Sequence, residues 1–130
     1  MQGLHLTADL RGCRCAPHWL LDAAALGQAC ADAVRAAGLQ AVARLFHTFD
    51  ATAHGPGGVT ATVLLAESHL CVHTWPEQRA VTLDVYVCNF GADHSAKARA
   101  LMEALLALFD AESVQRHALQ RGAPALEAAP

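Results

Sequence analysis

The sequence predicts an α+β fold, a two-layer sandwich in which a mostly antiparallel sheet carries helices on one face and can pair with a second copy into a dimer. Three observations predict it. Several short segments alternate apolar and polar residues with a period of two, two longer segments carry apolar residues at helical spacing, and glycine or proline punctuates the joins. At 130 residues the chain is read as one folding unit, residues 1–130.

Gly3 to Leu10 sets Leu4, Leu6, Ala8 and Leu10 against His5, Thr7 and Asp9, the pattern of a half-buried strand, and ends at Gly12. Between Pro17 and Gly38 the alanine-rich stretch is helical. Leu21, Ala25, Leu26, Ala29, Ala33 and Ala37 share its apolar face, and Gly38 stops it. Residues 39–49 alternate again, ATAHGPGG makes a flexible loop, and VTATVLLA reads as a buried strand. His69 to Trp75 and Ala80 to Cys88 are two further strands joined by a turn over Pro76 to Arg79, the second with Val81, Leu83, Val85 and Val87 on one face. A second helix runs from Ala92 to Phe109, with Asp93 as N-cap and Ala100, Leu101, Ala104, Leu105 and Leu108 apolar. The tail after Asp110 receives no element.

Composition narrows the function classes. Apolar residues make up 54%, yet 29 residues are alanine and none is isoleucine, so burial capacity is modest and helices are favoured. A net charge of −3, with Lys97 the sole lysine and the arginines scattered, argues against nucleic acid as a partner. No apolar run approaches the ~20 residues of a spanning helix, and Met1 to Asp9 lacks the form of a signal peptide, so the expectation is a cytoplasmic protein with no membrane partner. Five cysteines in such a chain are expected to be free thiols.

Reactive side chains concentrate in Glu67-Ser68-His69-Leu70-Cys71-Val72-His73-Thr74-Trp75-Pro76-Glu77. One reading is a surface hairpin with His69 and His73 solvated. Metal binding is a rival, but His69, Cys71 and His73 at alternate strand positions share a face without closing around an ion, and Cys13-Arg14-Cys15 is a weak thiolate pair, so no metal is expected. A serine hydrolase is the other rival; the chain has no G-x-S-x-G turn at Ser68.

The segment AESHLCVHTWPE, followed by LDVYVC ending at Cys88, resembles the prokaryotic S-adenosylmethionine decarboxylase proenzymes, a pyruvoyl-dependent family marked by ESH-x-x-x-HTWPE with a D-V-F-T-C segment behind it. GLHLTADLRGC resembles the family's opening, and FHTF and GVTATVLLA resemble its F-x-x-F and GVSG segments. The likeness spans roughly residues 3 to 109, with a fainter echo at Arg121-Gly122.

The resemblance implies self-processing. The Ser68 hydroxyl attacks the carbonyl of Glu67 in an N-to-O acyl shift, and the ester is eliminated and hydrolysed with loss of ammonia. The cut divides the chain into residues 1–67 (β chain) and 68–130 (α chain), with a covalent pyruvoyl group at the start of the second. His73 is the implied proton-transfer residue and Thr60, at the GVSG hydroxyl position, its helper; imidazole suits such work because it titrates near neutrality. The mature carbonyl forms a Schiff base with the substrate amine and acts as an electron sink, and Cys88 is the implied proton donor in decarboxylation. Phe49 is implied to stack on adenine, Glu77 to hold the ribose hydroxyls from across a dimer interface, and Leu70 to line the pocket.

The expected activity is therefore decarboxylation of S-adenosylmethionine for spermidine synthesis, by a homodimer of processed protomers. Pyruvoyl arginine or ornithine decarboxylase is the alternative within the family, and an unprocessed partner-binding homologue the alternative outside it. The chain departs from the family at Thr60 for serine, at Ala61 for glycine, at Val87 and Asn89 around Cys88, and in a longer loop between Phe49 and Val59.

Overall fold

The computed structural model describes residues 2–66, 68–89 and 91–122. Its elements run β1 (Gly3–Cys13), α1 (His18–Leu21), α2 (Ala23–Ala36), β2 (Ala41–Thr48), β3 (Val59–Leu65), β4 (Ser68–Trp75), β5 (Ala80–Cys88), α3 (Ser95–Phe109) and β6 (Ala111–Arg121). The six strands form one antiparallel sheet in the order β2-β3-β4-β5-β1-β6. The fold is α+β, as the alternation implies.

Strand alternation decides which side chains meet the helices. Leu4, Leu6, Ala8 and Leu10 of β1, Val81, Leu83, Val85 and Val87 of β5, Leu70 and Val72 of β4, and Val59, Ala61, Val63 and Leu65 of β3 are all buried together with Leu26, Cys30, Val34, Leu101, Met102, Leu105 and Phe109 of α2 and α3. This is the core, on one side of the sheet. The opposite face carries His5, Thr7, His69, Cys71, His73, Thr82, Asp84 and Tyr86, and no helix among the described residues lies on it.

Three expectations need correction. The helix expected between Pro17 and Gly38 breaks at Asp22, whose carboxylate accepts the N–H groups of Ala24 (2.9 Å) and Ala25 (3.2 Å) and caps α2. Both long helices are turned from the faces read off the sequence. In α2 Leu26 is buried as expected, but Cys30 and Val34, which bury more area per position, and Gly27, against the Phe46 ring, take the place of the alanines; in α3 Leu101 and Leu105 are buried as expected, and Met102 and Phe109 replace Ala104 and Leu108. Asp93 does not cap α3 as a helix-flanking residue, though its carboxylate accepts the Ser95 N–H at 2.9 Å; the cap position is His94.

The largest revision is β6. Ala111–Arg121 pairs along the whole of β1 at the sheet edge, with nearly every residue exposed. An edge strand with little buried surface has no strong apolar alternation to announce it. Its entry is a sharp reversal at Asp110, in the left-handed region at φ 46°.

One buried polar residue ties the layers together. Thr74 Oγ1 donates to the Leu20 carbonyl (2.8 Å) and accepts the Val59 N–H (2.8 Å), joining β4 to α1 and to the start of β3. Both of its hydrogen-bonding roles are satisfied, so its burial costs little.

Candidate active site

Strand β4 distributes the reactive residues. Ser68 opens the strand directly after the hairpin reversal that pairs it with Leu65 of β3. Glu67, the other side of the expected cleavage point, lies outside the described residues. The Ser68 hydroxyl oxygen accepts the backbone N–H of Cys88 at 3.2 Å, so the end of β5 lies against the start of β4. Cys88 is itself buried, 8% exposed, and the Asn89 N–H donates to the Gln2 carbonyl at 2.7 Å to hold this corner.

Thr60 and His73 meet elsewhere. They are cross-strand partners of β3 and β4, with Thr60 Oγ1 and His73 Nδ1 sharing a hydrogen bond of 2.8 Å. Their register continues to His47 on β2 and Thr82 on β5, giving a row of four polar side chains across the uncovered face. His73 lies five residues beyond Ser68, which on an extended strand is roughly 16 Å. Within one chain, then, Ser68 stands with Cys88, and His73 stands with Thr60, at opposite ends of β4.

The His73 end opens into a cavity of about 790 Å³ lined by Phe49, Thr60, His73, Trp75 and Glu77, among others, with the 50–58 loop as a wall. Neither Ser68 nor Cys88 lines it. Phe49 and Trp75 remain 53% and 39% exposed, so the cavity offers aromatic surface. The longer loop does not carry Phe49 away: its N–H donates to the Gly58 carbonyl at 2.9 Å, so the extra residues bulge out beyond a closed neck. Gly57 and Gly58 form that neck, where a Cβ would collide with the backbone of Phe49 and Thr74. The His47 ring packs edge-on against Phe49, with centroids 5.0 Å apart. Leu70 is 1% exposed and its side chain sits in the core beneath the helices, so it does not line the cavity; alternation puts positions 70 and 69 on opposite faces.

Sequence reasoning missed a third constellation. On the uncovered face, next to Ser68, the Nε2–H groups of His5 and His69 both reach Asp84 Oδ2 at 2.9 Å. Tyr86 packs against both rings, and the Arg121 guanidinium lies 5.0 Å from the Tyr86 ring centre. The three ligand atoms of His5, His69 and Asp84 lie within 4.8 Å of one another. The hydrogen bonding disfavours a cation there. Arg121 stands 3.3 Å from His5 Nδ1, and a guanidinium donating to that nitrogen leaves Nε2 as the protonated position rather than a metal ligand. The signal available in the sequence was the alternation of β1 and β5, which puts His5 and Asp84 on the polar face without revealing that they are neighbours.

The remaining thiols are quiet. Burial pushes Cys13 up to about 11, helped by Cys15 and opposed by Arg79, and pushes Cys30 up to about 12. Burial also raises Cys15 and Cys71. All five cysteines are free.

Comparisons with known proteins run through these same residues. The family model described as S-adenosylmethionine decarboxylase matches residues 4–122. An S-adenosylmethionine decarboxylase proenzyme of Parasynechococcus marenigrum is 36% identical over 120 residues, covering 92% of this chain and 83% of the relative. One from Aquifex aeolicus is 31% identical over 126 residues, 92% of this chain and 81% of the relative. The crystal structure of the adenosylmethionine decarboxylase from Aquifex aeolicus superposes with a TM-score of 0.79 at 30% identity, covering 92% of this chain and 90% of that one. With the six-stranded sheet, the serine at the start of β4 and the hydroxyl–imidazole pair all in place, the chain belongs to the S-adenosylmethionine decarboxylase family, whose members are pyruvoyl-dependent enzymes made as proenzymes.

Proposed function

We propose that the protein cleaves itself between Glu67 and Ser68 and then decarboxylates S-adenosylmethionine, at a site built from two copies of the chain. The observation that carries this reading is the separation along β4: Ser68 with Cys88 at one end, Thr60 with His73 at the other, roughly 16 Å apart. A proton-transfer group at that distance cannot serve Ser68 of its own chain. Two sheets stacked through their uncovered faces about a two-fold axis bring the Ser68 end of one chain against the His73 end of the other. Leu45, Leu64 and Leu119, 71%, 49% and 53% exposed on that face, favour burial there.

In processing, the Ser68 Oγ attacks the Glu67 carbonyl carbon, the peptide nitrogen leaves as the new amine of Ser68, and an ester replaces the amide. The partner copy's imidazole at position 73, held by the Thr60 hydroxyl, takes the Ser68 α-proton as the ester breaks. Glu67 departs as a carboxylate, and water releases ammonia from residue 68.

The residues present suit the group that results. Ser68 supplies it, and the backbone N–H of Cys88 already reaches the Ser68 side-chain oxygen. Once formed, the pyruvoyl carbonyl supplies an electron sink for the pair left when carbon dioxide departs. The chain's own residues do the rest. Cys88, held against Ser68, is placed to deliver a proton to the substrate Cα. Phe49 offers a flat face for adenine, and the Glu77 carboxylate accepts the ribose hydroxyls. A cavity with exposed aromatic rings fits an adenosyl group better than the free side chain of arginine or ornithine.

No helix among the described residues is long and apolar enough to cross a membrane.

Subunit complementation tests the proposal. Ser68→Ala and His73→Ala, each expressed alone, stay whole by mass spectrometry. Co-expressed, the His73→Ala chain is cut between Glu67 and Ser68, because its serine meets an intact histidine from the other copy. A His73→Ala chain that stays whole in the mixture while wild type is cleaved would sink the two-chain site.

A further inference from the structure

We propose that Asp50, in the loop that walls the cavity, makes the site select its ligand by positive charge, and that the charge it reads is the sulfonium of S-adenosylmethionine. The inference rests on the substrate reading above and adds a residue to it.

The loop is built to hold a side chain in place. Beyond the Phe49–Gly58 neck, Thr52 and Gly55 exchange backbone hydrogen bonds of 2.8 and 3.1 Å, and the His54 N–H donates to Thr52 Oγ1 at 3.1 Å. Asp50 follows directly on Phe49, the aromatic wall of the cavity, and lines the same space. The stretch between neck and turn is therefore short, and Asp50 is carried with the ring beside it.

The charge balance of the wall is one-sided. Asp50 and Glu77 are the carboxylates among the lining residues, and no lysine or arginine joins them; His54 and His73 are the other titratable groups there. Among the described residues, neither carboxylate has an ion pair or a side-chain hydrogen bond in the structure. The arginines closest in sequence are engaged elsewhere: Arg79, near Glu77, donates from Nε to the Cys13 carbonyl at 2.6 Å and from Nη2 to the Cys15 carbonyl at 3.2 Å, and Arg44, nearest Asp50, donates to the Gly27 carbonyl at 3.3 Å. A neutral adenosyl thioether gains nothing from such a wall beyond stacking and hydrogen bonds. An adenosyl sulfonium gains the Coulombic attraction of two uncompensated, exposed carboxylates and the faces of the Phe49 and Trp75 rings beside them.

Glu77 has the ribose hydroxyls to hold, which leaves Asp50 as the group whose effect is charge alone. Its removal must therefore weaken a sulfonium and spare a thioether of the same shape. The recruited charge also separates substrate from by-products of methyl transfer, which keep the adenosyl group and lose the positive sulfur.

The test uses the processed, full-length enzyme with S-adenosylmethionine as substrate and S-adenosylhomocysteine, the uncharged thioether, as competing ligand. Asp50→Asn should raise the KM for S-adenosylmethionine about 3- to 10-fold while the inhibition constant for S-adenosylhomocysteine stays within about twofold. Asp50→Glu, which keeps the charge, should restore most of the loss. Equal weakening of both ligands, or no change in either, would overturn the proposal and leave the decarboxylase reading standing. Wild-type enzyme that turns over arginine and not S-adenosylmethionine would overturn the substrate reading and the sulfonium assignment together.

Discussion

The two ends of β4 differ in what surrounds them. At the Ser68 end the strand begins from a tight reversal, its hydroxyl is engaged by the backbone of Cys88, and the His5–His69–Asp84 network fills the adjoining face. At the His73 end the strand runs out beside an open cavity walled by a loop and two exposed aromatic rings. One end carries the serine of the proposed cleavage point and the other an open cavity. A single strand keeps them apart, and the proposed site joins the serine end of one chain to the cavity end of another.

The largest effect expected within this comparison is at Cys88, on the serine end. Cys88→Ala should still be cut into two chains but lose about 10²- to 10⁴-fold in decarboxylation, the range of a general acid. Carbon dioxide release by the purified, processed variant measures it, and normal turnover would remove Cys88 from the mechanism. On the cavity end, Phe49→Ala should raise the KM for S-adenosylmethionine by about 5- to 150-fold, equivalent to about 1–3 kcal/mol of stacking by analogy with bases on aromatic rings, and leave self-cleavage intact. A processing defect in that variant would show that the two half-sites are less separate than the strand geometry implies.

Smaller effects probe what anchors the ends. Thr74→Val removes both hydrogen bonds that tie the His73 end to α1 and β3, leaving the Val59 N–H and the Leu20 carbonyl unpaired. The cost should be about 1–3 kcal/mol in stability, read from the urea midpoint, with the Ser68 corner retaining its slow amide exchange. A pH-dependent effect lies away from both ends, at Cys30 of α2 and Cys13 at the end of β1. Cys30 and Cys13 are raised from 9.0 to about 12 and about 11, chiefly by burial, so the unfolded chain gives up these protons first. Their contribution to stability is complete below pH 9 and is lost as the pH rises through about 11 to 12. Urea titrations at pH 8 and pH 10.5 should show the decline, and Cys30→Ala should flatten it.

Much of the fold was legible because a half-buried strand repeats every two residues. β1, β3, β4 and β5 stand close to where their alternation puts them, and the core face of each follows from parity. β6 was illegible for the converse reason: exposed on nearly every side chain, it is held by backbone bonds to β1, which the side chains do not encode. The helix faces were misjudged because 29 alanines make several stripes of an amphipathic helix look alike, and only the shape of the sheet beneath chooses Leu26, Cys30 and Val34 over their neighbours.

The sequence by itself carried the family resemblance, which implies roles for Ser68, His73, Cys88 and Thr60; by type and spacing alone the same segment reads equally as a surface hairpin. It also determined that positions 69, 71 and 73 share one face and positions 70, 72 and 74 the other. Only the tertiary structure decided distance. It put Cys88 against Ser68 although they lie 20 positions apart. It held His73 away from Ser68 although only five positions separate them. It sent the Leu70 side chain into the core and closed the 50–58 loop beside Phe49. The physical reason is that a strand is stiff and extended, so nearness along the chain becomes separation in space, while antiparallel pairing turns separation along the chain into contact.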